Sequence, residues 1–113
     1  MAEAQRLICA GAELADGSRG VRFDVPTAHG EKSGFVIRHR GRVYGYVNRC
    51  AHIGIEMDWR PGEFFDDSGL YLICATHGAV YRPETGECIA GPCRGARLEP
   101  VEVVEQDGCI YLK

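Results

Sequence analysis

The chain has no run of about 20 apolar residues of the kind that spans a bilayer. Its opening, Met1-Ala-Glu-Ala-Gln-Arg6, also lacks the apolar core of a secretory signal. Both absences predict a cytoplasmic protein with no membrane anchor. Nor is there a basic stripe: 13 Lys and Arg stand against 16 Asp and Glu, for a formal net charge of −3. That balance argues against nucleic acid as a partner, which calls for a positively charged face. A mild acidic excess serves solubility or docking to a more basic protein equally well. Long helical runs are scarce. Fifteen Gly and five Pro punctuate short β-rich stretches instead, so an all-β chain of short strands and tight turns is expected. There is no low-complexity segment, and no repeat apart from one doubled motif.

At 113 residues the chain is a single domain by length. Its six Cys would signal a disulfide framework in a secreted protein, but in a cytoplasmic one paired Cys and His point to metal. The doubled motif is such a pairing. Cys50-Ala-His52 is followed, after 21 residues, by Cys74-Ala-Thr-His77, with Gly54 and Gly78 close behind. On a tight turn, one thiolate and one imidazole can converge on a metal centre without backbone strain. Two such loops supply four ligands, the number wanted by a tetrahedral zinc ion and by a two-iron cluster alike. A lone Cys or His is usually a packing residue, whereas two matched pairs in so short a chain are hard to assign to chance. A structural Cys2His2 zinc module is one reading, although zinc fingers generally pair like with like and each motif here mixes the two types. A thiol–histidine hydrolase is another; the equivalence of the two pairs and the want of an orienting group count against it.

Around the motifs the pattern predicts strands. Arg6–Ala10 is a short apolar run, and Gly11 to Gly17 suits a helical turn. Val21–Val25 alternates apolar and polar and is closed by Pro26, with a polar loop from Thr27 to Ser33. Gly34–His39 and Arg42–Val47 are joined by Arg40-Gly41, a hairpin turn with Gly where φ is positive. Leu70–Ile73 leads into the second motif, Ala79–Tyr81 leaves it, and Glu87–Ile89 follows a turn at Pro83–Gly86. Arg97–Glu105 and Cys109–Leu112 form a final hairpin across Asp107-Gly108. Cys9 and Cys109 sit in apolar strands and are expected as small core residues; His29 and His39 are expected at the surface.

The two ligand motifs, with His77-Gly-Ala-Val-Tyr81 and the Gly91-Pro92 loop, resemble the Rieske iron–sulfur family over roughly residues 35 to 112. In that family two Cys hold one iron of a [2Fe–2S] cluster and two His hold the other. The resemblance implies Cys50, His52, Cys74 and His77 as metal ligands, with Gly54, Gly78, Tyr81, Gly91 and Pro92 surrounding them and no separate catalytic residue. It implies an antiparallel β sandwich or barrel base from roughly residues 1 to 47 and 95 to 113, with a cluster-binding subdomain of two ligand loops inserted at roughly 48 to 94. The implied function is one-electron transfer from a flavin-dependent reductase to a terminal oxygenase, a component of an oxidoreductase system rather than a stand-alone enzyme. A small subunit of a larger enzyme, such as an assimilatory nitrite reductase, is the alternative.

Where this sequence departs from the family, it does so at informative positions. High-potential members carry two further Cys that join the ligand loops; Ile55 and Thr76 stand there, so that bridge cannot form. A Ser that donates a hydrogen bond towards the sulfurs is replaced by Ala79, while the Tyr is kept as Tyr81. One donor fewer and no bridge imply a low-to-intermediate potential. The spacer between the motifs is longer than is usual in the family, which makes Trp59 to Gly69, with Glu63, Asp66 and Asp67, an expected acidic protrusion. Cys88 and Cys93 flank the Gly91-Pro92 loop and are expected near the cluster without being ligands.

Overall fold

The computed structural model describes residues 6–28, 30–51, 56–58, 60–76 and 78–113, with the backbone alone at Thr27. Ten strands and a single 3-10 turn at Gly11–Glu13 make up the described structure, and every strand pair is antiparallel. Among the described residues no helix is long and apolar enough to cross a membrane.

Three sheets carry the strands. The first joins the two ends of the chain: β1 (Arg6–Ala10) pairs with β10 (Cys109–Leu112), which pairs with β9 (Val103–Gln106). The second runs β2 (Val21–Thr27), β3 (Gly30–His39), β4 (Arg42–Val47), β8 (Pro100–Val101). The third comprises β5 (Leu72–Ile73), β6 (Val80–Tyr81) and β7 (Cys88–Ala90). The β3–β4 and β9–β10 hairpins turn at Arg40-Gly41 (φ 52° and 81°) and Asp107-Gly108 (φ 53° and 79°). Positive φ at both central residues matches the right-handed strand twist, as the sequence pattern anticipates.

Strand limits differ from expectation where Pro and polar residues suggest breaks. β2 continues through Pro26, which pairs with Glu31, and β3 begins at Gly30, so the expected loop from Thr27 to Ser33 is mostly sheet. β2 lies at the edge of its sheet, where a proline without an N–H costs no ladder bond. In the third sheet β5 and β6 are shorter than expected, β7 is shifted by one residue, and Leu70 is exposed. Arg97–Glu105 is not one strand: Pro100–Val101 joins β4, while Val103 onward joins β10.

Two groups of buried side chains form the core. One, around Cys9, Leu14, Val36 and Ile110, lies between the terminal sheet and β3. The larger one unites Phe35, Tyr46, Met57, Phe64, Leu72, Tyr81 and Leu98 with Cys50, Cys74, Cys88 and Cys93. Phe64 belongs to the expected protrusion, yet it is fully buried and its ring stacks on Phe35 at a centroid distance of 3.9 Å. Further ties hold this segment down: Gly20 N–H donates to Gly62 O over 2.8 Å, and Arg19 donates to Pro61 O over 2.5 Å. The described part of the insertion is therefore packed against the strands, because the apolar Phe64 outweighs its acidic neighbours. Asp66 spends its carboxylate locally, accepting from Ser68 N (3.1 Å) and Ser68 Oγ (2.6 Å). Trp59 lies outside the described residues.

Candidate metal centre

The chain enters the first motif from the end of β4, and Asn48 fixes how it does so. Asn48 N–H donates to Ser33 O (2.7 Å), its Oδ1 accepts from Met57 N–H (2.8 Å), and its Nδ2 donates to Asp58 Oδ1 (2.9 Å). Asp58 Oδ2 accepts in turn from Gly62 N–H over 3.0 Å. Both side chains are buried. Residues 48 and 57–58 thus clamp the two feet of the loop that carries Cys50. Ala75 N–H donates to Met57 O (3.0 Å), which ties this loop to the second. The second loop closes on itself through Cys74 N–H to Ala79 O (2.9 Å) and Gly78 N–H to Cys74 O (2.8 Å), with Gly78 at φ 72°.

Cys50 and Cys74 are both buried, at 2% and 0% exposure, within the same group of core side chains. Tyr81 on β6 is fully buried beside them. Its hydroxyl accepts from Ala51 N–H (3.0 Å) and lies 3.5 Å from Cys50 Sγ and 3.0 Å from Cys93 Sγ. Burial, and then its hydrogen bonds with Cys50 and Cys93, push the Tyr81 phenol well above its ordinary pKa, so it stays a protonated donor. Tyr81 is thus a core aromatic and a hydrogen-bonding group at once. Ala79 is fully buried and brings no hydroxyl. Among the described residues no disulfide is present.

The third loop closes over this pair. Gly91 has φ 95°, and a Cβ there would stand 2.8 Å from Ala79 Cα; only glycine lets the backbone lie so close to the second loop. Pro92 beside it is exposed, whereas Cys93 turns inward. Cys93 Sγ lies 3.0 Å from Cys88 Sγ, and Cys88 in turn points at Ala90 O (3.3 Å). Burial, followed by the Cys88 contact, pushes the Cys93 thiol up to about 11.

Of the expected ligands, the described residues bring together Cys50 and Cys74; His52 and His77 lie outside them, as do Gly54, Ile55 and His29. Thr76 is exposed on the second loop. His39, expected at the surface, is buried on β3, 3.6 Å from Glu84 and stacked beside Phe65. Cys9 is buried as expected and Cys109 half-buried. Asn48 and Asp58 escaped the sequence reading because an isolated Asn or Asp near a turn looks like surface chemistry. The one available signal was their position on either side of the first motif.

A model of the Rieske [2Fe-2S] domain matches residues 5–106. The chain belongs to the Rieske [2Fe-2S] domain family. Its fold is similar to that of the ferredoxin of carbazole 1,9a-dioxygenase from Nocardioides aromaticivorans IC177, with a TM-score of 0.75, 23% identity and coverage of 97% of each chain. It is also similar to a Sphingomonas yanoikuyae B1 ferredoxin, at TM-score 0.71 and 22% identity over 97% of this chain and 98% of that one. A third match is a chain in a complex of reduced oxygenase and oxidized ferredoxin in carbazole 1,9a-dioxygenase, at TM-score 0.72 and 22% identity, covering 96% of this chain and 91% of that one. No curated protein sequence matches it. The described donors of this Rieske domain fit the cluster its family carries: two buried sulfurs on loops tied to one another, with a tyrosine hydroxyl in reach of one of them.

Proposed function

We propose that this Rieske domain is a freely diffusing cytoplasmic one-electron carrier that takes an electron from a flavin-dependent reductase and passes it to a terminal oxygenase. The reading rests chiefly on the family match over residues 5–106, supported by a fold similar to that of a dioxygenase ferredoxin. The ferredoxin–oxygenase complex among the similar structures supports an oxygenase as the acceptor. In this reading Cys50 and Cys74 bind one iron, and His52 and His77 the other, on a subdomain of roughly residues 48 to 94 inserted in a base formed by the rest.

Such a cluster, when bound, stores one electron, with a potential of roughly −150 to +300 mV because two imidazoles replace two thiolates. The chain's own residues do the rest. Asn48, Asp58 and Met57 hold the first loop; the Ala75–Met57 bond holds the second against it; Gly91 and Pro92 cover both. Tyr81 donates towards Cys50 and favours the more electron-rich state.

Iron and acid-labile sulfide analysis of the purified protein, with its visible spectrum, tests the chemistry: two irons and two sulfides per chain are expected for this cluster type, and a single zinc overturns the reading. Rapid reduction of the isolated chain by a flavin reductase is expected of a free carrier. Stable co-purification with a larger redox enzyme would instead make it a subunit.

A further inference from the structure

We propose that Cys88 and Cys93 form a dithiol site that closes reversibly to a disulfide, and that its state decides how Tyr81 shares its hydroxyl proton with Cys50. Tyr81 and Cys88 are cross-strand partners, opposite one another on β6 and β7, at a point where the pairing carries a bulge. The Gly91-Pro92 turn then brings Cys93 back onto both. The result is a short line of contacts, Cys88 Sγ to Cys93 Sγ at 3.0 Å, Cys93 Sγ to Tyr81 Oη at 3.0 Å, and Tyr81 Oη to Cys50 Sγ at 3.5 Å.

Closing the bond requires the sulfurs to move about 1 Å nearer, to the covalent distance of about 2.05 Å. The loop can supply that movement. Arg94 N–H to Gly91 O and Gly95 N–H to Cys88 O are both long, at 3.4 Å, and Gly91 and Gly95 frame Cys93 with φ of 95° and 97°. Gly91, Pro92, Arg94 and Gly95 are exposed while Cys93 alone in that turn is buried. Cys93 therefore lies one residue layer beneath an exposed turn.

A low-molecular-weight disulfide, R–S–S–R, supplies the oxidising equivalents. One Cys sulfur, having lost its proton, attacks that S–S bond and releases R–SH; the other Cys sulfur displaces the second R–SH and forms the Sγ–Sγ bond. The two cysteines lose two electrons and two protons, and both end on the two R–SH released.

The hydroxyl of Tyr81 has one proton and two sulfurs in reach. In the dithiol form Cys93 is the nearer. Closure draws Cys93 towards Cys88 and turns its thiol sulfur into a disulfide sulfur, a poorer acceptor, so Tyr81 is left to donate to Cys50. A firmer donor on a ligand sulfur favours the reduced cluster, and closure is expected to make the potential more positive. This second half rests on the electron-carrier reading; the bridge itself does not.

The test uses the protein isolated with its cluster and equilibrated anaerobically with oxidised glutathione, followed by alkylation and peptide mapping. A Cys88–Cys93 bridge is expected, reversed by dithiothreitol, absent in Cys88→Ser, and formed with the visible spectrum retained. Alkylation of both thiols after that treatment, or bridging only once the spectrum has bleached, overturns the proposal. A redox titration of both forms then reads the coupling: the bridged form titrates at the more positive potential, and Tyr81→Phe bridges equally while losing the difference. Equal potentials in the parent protein, or a difference that survives Tyr81→Phe, removes the role given to Tyr81. Failure to find iron would defeat the carrier reading, while the bridge is still scored by its peptide.

Discussion

Asn48 and Asp58 hold each other across the loop that carries Cys50, with Asn48 Nδ2 donating to Asp58 Oδ1 over 2.9 Å in a buried setting. Asn48→Ala leaves that carboxylate oxygen and the Met57 N–H without their partner. Each buried polar group so stranded costs about 1 to 3 kcal/mol, and a loss of roughly 2 to 6 kcal/mol is expected for the pair. Denaturant unfolding measures it, and iron retention should fall in parallel. An unchanged midpoint would show that the loop is held by something else.

A second clamp ties β3 to β9. Arg38 grips both carboxylate oxygens of Glu105, at 2.9 and 2.6 Å, and also donates to Leu14 O over 2.8 Å. Hydrogen bonding to Arg38 holds the Glu105 carboxyl below its ordinary pKa. A carboxylate with a depressed folded pKa contributes stability that is present above its unfolded value, about 4.3, and is lost as the pH falls through the lower folded value. Glu105→Gln should therefore unfold more easily at neutral pH and lose less on acidification, the two proteins converging in strong acid. Parallel curves across that range would rule the pair out as an acid-sensitive contact.

Cys50→Ser and Cys74→Ser should each lose the cluster and, with it, the folding energy that converging ligands add. The expected signs are a colourless protein and a lower Tm. Cys109→Ser, at a half-buried position on β10, should keep both colour and stability near those of the parent. A coloured Cys50 or Cys74 variant would reject the ligand assignment.

Tyr81→Phe keeps the ring that fills the core and deletes the hydroxyl within 3.5 Å of Cys50 Sγ. The visible spectrum should survive, and the midpoint of a redox titration should move to a more negative value, since the reduced state loses a donor. An unmoved midpoint would reduce Tyr81 to a packing residue.

The sequence made the hairpins legible because their turns depend on single residues: Arg40-Gly41 and Asp107-Gly108 adopt the positive φ that two-residue turns require. The Cys50 and Cys74 loops were marked out in the sequence by the doubled Cys/His spacing, and both cysteines are buried in one group of core side chains. What stayed hidden depends on contacts between distant residues. His39 reads as a polar strand residue until Glu84 and Phe65 are placed beside it. Pro26 reads as a stop until β2 is known to be an edge. The 3.0 Å approach of Cys93 to Cys88 and Tyr81 needs the pairing of β6 with β7, which no local pattern encodes.

Phe64 lies between the Cys50 and Cys74 loops in sequence, and its ring rests flat on Phe35 of β3. The longest strand thereby acts as a keel for the segment linking those loops. Any carrier must rearrange its atoms slightly each time its charge changes, and the effort of doing so slows exchange with a partner. Anchored to that keel, the segment at Phe64 has little room to shift, which in the proposed carrier would keep such rearrangement small.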